Sequence, residues 1–371
     1  MKLNLRDDFL EETQRFLKKE REELNVVVMP DFFLDRLVEL SSDEKTFCSR
    51  VGVVVKRKGG SIDGIKQTNL RGGNAINTAC ALAALGVRVT PIICTSKLGL
   101  DLLRFYLRPY KLDLSHVKTF EKASITTAIE LEANSEKVNI MLRDVGALAD
   151  FGPHNLNEED LATVEKADYV CVFNWAGTRR FGTELARTIF HKVKAEGKGR
   201  TYYDTADPNP NARKIPELMK NVLQAKFLDI LSVNENEAIC YAAQLTKVGK
   251  TRKNLSFEES ARKSAGTLAS RLSARVDLHT TSFSATFTKK GETVIPAFRV
   301  PVLRATGAGD AWNAGNILGD ASGFSDESRL TLANMVAAYY ISSPNGMHPT
   351  RKQLLKFCNK LKRKDDLLAS A

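Results

Sequence analysis

The sequence predicts an α/β fold, a doubly wound and mostly parallel sheet flanked by helices, carrying a small β lid. Three observations lead there. Strand candidates at residues 25–29, 87–94, 167–173, 200–203 and 230–233 alternate with longer segments of helical period, the pattern of strand, helix, strand units in a parallel sheet. Two stretches, 45–71 and 123–142, interrupt that alternation with short, polar-alternating pieces and turn signals. Polar or glycine-rich junctions follow several of the runs, where an open parallel sheet places its ligands.

Composition narrows the class. A chain of 371 residues can hold one large core or about two to three domains. The opening MKLNLRDDFLEETQRFLKKEREEL is too charged for a signal peptide, and no run of about 18 apolar residues follows it, so a cytoplasmic protein with no membrane partner is expected. The six cysteines stand singly, without a Cys-x-x-Cys pair, and read as small core residues. The formal charge of +11 gathers partly near the C-terminus, in Arg351, Lys352, Lys356, Lys360, Lys362, Arg363 and Lys364. Leu354, Leu355, Phe357, Cys358 and Leu361 are interleaved there, so this is read as the solvated face of a terminal helix. No nucleic-acid partner is expected.

In order, residues 1–24 form a charged helical extension whose Leu3, Leu5, Phe9, Leu10, Phe16 and Leu17 make an apolar stripe for the body or a partner. Residues 25–29 are a buried strand, followed by Pro30-Asp31-Phe32-Phe33-Leu34-Asp35. Acids in such a context are costly to bury without a polar partner, and a ligand hydroxyl is one; a surface turn is the other reading. Phe47-Cys48-Ser49-Arg50-Val51-Gly52-Val53-Val54-Val55 is expected as a strand before a Gly59-Gly60 turn. Strands at 125–131 and 138–142 would flank a turn at Ala133-Asn134-Ser135-Glu136. The lid is accordingly assigned to 45–71 and 123–142, and the α/β body to 25–44, 72–122 and 143–371.

Between the lid pieces lies Arg71-Gly72-Gly73-Asn74-Ala75-Ile76-Asn77, which opens an Ala-rich helix ending at Gly86. The diglycine lets another molecule approach the backbone, and Asn77 faces the same opening one turn in. Further on, Asn174-Trp175, Asp204 and Asn234 fall at carboxyl ends of strands. Asn234-Glu235-Asn236-Glu237 reads either as a capping box or as a carboxylate that holds Mg²⁺ through water. Last comes Arg304-Ala305-Thr306-Gly307-Ala308-Gly309-Asp310 before a helical pattern. Free amides at a helix start beside a carboxylate make an anion pocket with a base at its edge; an Asp-capped tight loop is the plainer alternative.

Five of these segments, over about residues 25–360, resemble the ribokinase-like (PfkB) carbohydrate and nucleoside kinase family in its order. They are the strand with Asp35, Gly72-Gly73-Asn74-Ala75-Ile76-Asn77, Ser96-Lys97-Leu98-Gly99-Leu100-Asp101, Asn234-x-x-Glu237 and Gly307-Ala308-Gly309-Asp310. The resemblance implies an ATP- and Mg²⁺-dependent kinase acting on a hydroxyl of a sugar, nucleoside or polyol. Asp310 would be the base, with Gly307, Ala308 and Gly309 as the anion hole. Asp35, Asp31, Gly72, Gly73 and Asn77 would hold the substrate; Asn234, Thr306, Asn334 and Gly346 the nucleotide; Glu237 the metal. An exposed aspartate, ionised above about pH 3.9, would serve as this base without tuning.

Departures from the family pattern matter. Arg304 and Ala305 replace an Asp or Asn and a Thr, which leaves the monovalent cation unassigned and offers Arg304 as a fixed charge near the phosphates. Ser96 replaces a glycine. His279-Thr280-Thr281-Ser282-Phe283-Ser284 replaces a glycine-rich turn beside the nucleotide. Met141, Arg143, Trp175, Arg179 and Arg180 are candidates for choosing the substrate. An ADP-dependent sugar kinase and a non-catalytic nucleotide- or sugar-binding regulatory protein stay open, and exposed lid edges make a homodimer through the lid an expectation.

Overall fold

The computed structural model describes residues 2–19, 23–133, 136–245, 255–344 and 346–362. Its strands are β1 (Asn25–Met29), β2 (Phe33–Asp43), β3 (Lys66–Gly72), β4 (Arg88–Pro91), β5 (Cys94–Ser96), β6 (Lys118–Phe120), β7 (Ser124–Ala133), β8 (Glu136–Asp144), β9 (Tyr169–Phe173), β10 (Arg200–Asp204), β11 (Ile230–Val233), β12 (Arg275–His279), β13 (Phe283–Thr288) and β14 (Gly291–Pro296). Eight of them form the main sheet in the order β14-β13-β12-β11-β10-β9-β1-β4. Pairing is parallel from β4 through β12, and only the β13 and β14 edge is antiparallel. The expected mostly parallel, doubly wound sheet is therefore present.

Helices cover both faces, which explains why β1 is apolar from Val26 to Met29. Val27 and Met29 enter one core, Val26 and Val28 the other. The helix Asn74–Ala84 shares the second core with the helix Ala308–Ala321, where Ala75, Ala79, Ala311 and Ala314 are all fully buried. Small side chains let these two helices approach closely, and that approach brings the two motifs together. Behind them, a Cβ on Gly315 would stand 2.7 Å from Ala333 Cα, so the helix Asp326–Ile341 is packed as tightly.

The N-terminal helix Lys2–Lys18 settles on the body. Leu10 and Leu17 are buried, Gln14 Nε2 donates to Asn359 Oδ1 at 2.6 Å, and Arg351 lies 4.4 Å over the Phe16 ring. The basic C-terminal helix Arg351–Lys362 thus has a covered face, with Leu354, Cys358 and Leu361 inside. Among the described residues Cys48, Cys80, Cys94, Cys171 and Cys240 form no disulfide. No helix among the described residues is long and apolar enough to cross a membrane.

Three sequence expectations need correction. Phe47 to Val55 lie in a helix, Glu44–Lys56, because Asp43 accepts from Thr46 N at 2.7 Å and caps it; the helix buries none of its residues. The second sheet is instead β3-β2-β7-β8, so Phe33–Asp43, placed in the body by sequence, belongs with the lid strands. Residues 87–94 split into β4 and the start of β5, which pairs with β6. Asn134, Ser135, Asn345, Arg363 and Lys364, and the side chains of Leu3 and Leu5, lie outside the described residues.

Candidate active site

The carboxyl ends of the parallel strands carry a ring of polar groups. Asp31 follows β1, Asn174 follows β9, Asp204 ends β10, Asn234 follows β11 and His279 ends β12. Into this edge project the starts of the helices Asn74–Ala84 and Ala308–Ala321. Gly307, at φ +86°, turns the chain into the second helix, and a side chain there would meet the Tyr340 hydroxyl at 2.7 Å. Glycine is required at that point on both counts.

Asp310 is buried, contrary to the exposed base expected. Asn74 Nδ2 donates to its Oδ1 at 2.9 Å and Asn77 Nδ2 to its Oδ2 at 3.0 Å. Burial pushes its pKa well above the ordinary carboxylate value, and the charges of Asp204 and Asp31 push the same way against the two amides. A buried carboxylate so perturbed is a candidate for a functional site. Asn74 received no role from the sequence; its spacing of three from Asn77, one face of a helix, was the available signal.

Asp31 is committed differently. Its Oδ2 accepts from Asn74 N at 2.9 Å and from Asn174 Nδ2 at 2.7 Å, and its Oδ1 from Ala75 N at 2.8 Å. It caps the helix Asn74–Ala84 from another element, favoured by the helix dipole. Gly73 makes the approach possible, since at φ +103° its Cβ would stand 2.8 Å from Asp31 O.

Asp35 lies in register with Leu70, Thr126 and Arg143 across β3, β2, β7 and β8, so the four share one face of the small sheet. Its Oδ1 is buried with no hydrogen-bond partner among the described residues. Burial raises its pKa to about 6, moderated by Thr126 and by the charge of Arg143. Gly72 gives it room: a Cβ there would fall 1.9 Å from Asp35 Oδ2.

On the other side of the Gly307 loop, a cavity of about 240 Å³ is bounded by His279, Phe298, Ala305, Gly309, Trp312 and Asn334 among others. His279 lies against Trp312 at 5.0 Å between centroids with the rings tilted by 37°, and burial lowers its pKa, so the ring is neutral. Asn334 spends its amide on structure, accepting from Trp312 Nε1 at 3.0 Å and donating to Pro296 O at 3.1 Å. Thr306 offers its carbonyl to Tyr340. Gly346, at φ +60°, leaves its side-chain space to Arg304.

Asn234 and Glu237 form the reciprocal cap: Asn234 N donates to Glu237 Oε2 and Glu237 N to Asn234 Oδ1, both at 3.0 Å, while Asn234 Nδ2 holds Oε1 at 2.8 Å. Burial, then Asp204, Asp207 and Glu235, push the pKa of Glu237 well up. No group of three or more His, Cys, Asp or Glu that could hold a metal occurs among the described residues. Glu237 with Asp204 beside it is a sparse carboxylate set, of the kind that suits a cation that keeps its water and is held mainly by a ligand's phosphates. Asp204 Oδ2 accepts from Asn313 Nδ2 at 2.7 Å, so Asp310 and Asn313, three apart on one helix, both face this edge. Trp175 is buried in the body with its Nε1 on Thr183, and Arg180 pairs with Asp150 at 2.9 Å. Met141 and Arg143 stay exposed on β8.

A largely parallel eight-stranded sheet flanked by helices, with a separate four-stranded sheet, is the ribokinase-like fold. Residues 46–353 match the pfkB family carbohydrate kinase, and the chain belongs to that family. Among solved structures it is similar to ribokinase from Cryptococcus neoformans in complex with ADP, at a TM-score of 0.69 and 16% identity over 90% of this chain and 99% of that one. Adenosine kinase from Sinorhizobium meliloti gives a TM-score of 0.67 and 18% identity over 91% and 99%. Arabidopsis thaliana ribokinase, complexed with ribose and ATP, gives 0.65 and 20% over 91% and 99%. No curated protein matches the sequence significantly.

Proposed function

We propose that the chain transfers the γ-phosphoryl group of ATP to a hydroxyl of a sugar, nucleoside or polyol. The observation that carries this reading is Asp310, held by Asn74 and Asn77 at the N-terminus of a helix entered through Gly307. Ionised Asp310 accepts the hydroxyl proton; its raised proton affinity makes it the stronger base. The Gly309 and Asp310 amides in the first turn lack intrahelical acceptors and face the developing negative charge, whereas Ala308 N donates to Ala305 O at 3.2 Å. Asp35, with its unpartnered Oδ1, accepts from a second hydroxyl and fixes the acceptor. Asp31 acts through the helix it caps, as a positioning residue.

The cavity beside Trp312 receives the nucleotide base, with His279 and Trp312 as stacking surfaces. Glu237 and Asp204 would hold a hydrated Mg²⁺, which neutralises phosphate charge when bound. The small sheet serves as a lid over the acceptor. Its outer face exposes Ile125, Ile140 and Leu142, which supports a homodimer through the lid.

The test is phosphoryl transfer from ATP, and separately from ADP, across a panel of sugars, nucleosides and polyols with Mg²⁺. Transfer from ATP to at least one acceptor is expected. Transfer from ADP alone, or tight nucleotide binding with no transfer to any acceptor, would replace this reading.

A further inference from the structure

We infer that the Arg304 guanidinium takes the place of a bound monovalent cation beside the 306–310 loop, so that this chain works without potassium or sodium. The catalytic part rests on the function proposed above. The resemblance puts the cation arrangement at the two positions before Thr306, where this chain carries Arg304 and Ala305.

The geometry there does not fit an added ion. Arg304 Nη2 donates to the carbonyl oxygen of Pro344 at 3.1 Å, an uncharged oxygen of the kind a hard cation recruits. Its Nη1 stands 1.9 Å from the point that a Gly346 Cβ would occupy, so the guanidinium already fills the space beside Gly346. The Tyr340 ring lies 5.9 Å from the Arg304 charge, and the Tyr340 hydroxyl donates to Thr306 O at 3.2 Å. Arg304 therefore ties Pro344 and Gly346 to the anion loop through one carbonyl and one phenol. Both contacts are neutral, which leaves the positive charge acting on the loop.

A second observation agrees. His348, buried and stacked on Tyr340 at 4.6 Å, is held neutral by burial and then by Arg71 and Arg304. A metal ion would be a further positive charge among these groups and would compete with Arg304 for Pro344 O. Like charges at such spacing repel strongly in a partly buried setting. The fixed guanidinium costs no ion binding and is always charged.

The test compares tetramethylammonium, sodium and potassium chloride at constant ionic strength. The melting midpoint of the wild type is expected to be the same in all three, and its transfer rate to stay within about twofold, since an ion that binds the native state would raise the midpoint. Arg304→Ala opens the position; it should gain a saturable, potassium-specific rise in midpoint. Its transfer rate in tetramethylammonium should fall by about 10²-fold, the effect of removing one preorganised electrostatic contact, and partly recover in potassium. Arg304→Lys keeps a charge and should stay insensitive to the salt. A saturable potassium-specific stabilisation of the wild type overturns the inference. So does an Arg304→Ala protein that matches the wild type in midpoint and rate in every salt. If Arg304→Ala does not fold, the wild-type and Arg304→Lys comparisons decide. Lack of transfer in every salt counts against the proposed function alone, because the melting comparison needs no acceptor.

Discussion

Replacing Asp310 with Asn separates chemistry from stability in one side chain. The amide keeps the shape and one acceptor toward Asn74 or Asn77, but it cannot take a proton. A general base contributes about 10²- to 10⁴-fold, which at about 1.36 kcal/mol per tenfold is roughly 3–5 kcal/mol of barrier. Turnover should fall by that factor while nucleotide affinity holds. Stability should move the other way. Burial and the neighbouring Asp204 and Asp31 raise the folded pKa of Asp310 above its unfolded value, so the native state binds the proton more tightly. The stability this provides is full below the unfolded pKa of about 3.9 and is lost as pH rises through the folded pKa. Above that range the wild type bears the whole cost of a buried charge that Asp310→Asn lacks. Thermal melts at pH 4 and pH 8 should give nearly equal midpoints at the lower pH and a higher midpoint for the variant at pH 8. Turnover within about tenfold of wild type would remove Asp310 from the base role. A midpoint difference independent of pH would refute the electrostatic argument.

Two further variants probe the acceptor side and the core. Gly72→Ala places a methyl where Asp35 Oδ2 now lies, 1.9 Å away, so the carboxylate must move. Overpacking of this kind costs about 1–3 kcal/mol, and if it falls on acceptor binding KM should rise about 10- to 100-fold with the nucleotide KM unchanged. An unchanged acceptor KM in steady-state assays would contradict that placement. Arg329→Met strips a buried cation from Asp277, which it meets at 3.1 Å. Breaking a buried pair costs about 3–5 kcal/mol; the lower end is expected, because Arg275 still holds Asp277 at 2.9 Å. Asp277 is held below the usual carboxylate range by Arg275 and Arg329 against the effect of burial. Its contribution is present above the unfolded pKa and lost as pH falls through the folded one. Urea titrations at neutral and acid pH should show the variant's deficit shrinking on acidification.

Several elements were readable from residue pattern alone. Residues 26–29 of β1 and all of β9 are buried on both faces, which writes short, largely apolar runs into the chain. Asn234 with Glu237 offered their cap by a spacing of three, beside the metal reading, because a capping box is local. The helix Glu44–Lys56 was misread because its β-branched valines suggested a strand, whereas the Asp43 cap and the absence of any buried side chain favoured a helix. Asp31 and Asp35, four residues apart, looked alike in sequence. Folding separates them, one consumed by the amides of a distant helix and the other left with an unpartnered oxygen.

What the sequence by itself determined is the set of parts: a mostly parallel sheet, a small-residue loop leading to Asp310, and an Asn-rich helix start at Gly73. Local hydrogen bonds and the period of apolar residues are properties of neighbouring positions, so they are legible in order along the chain. Only the tertiary structure decided that Asn74 and Asn77 meet Asp310 across more than 230 positions, at separations of 236 and 233. It also decided that this carboxylate is buried beside Asp31 and Asp204, and that Arg304 reaches Pro344 and Tyr340. Burial and charge fields depend on which distant segments pack together, and no local pattern encodes them.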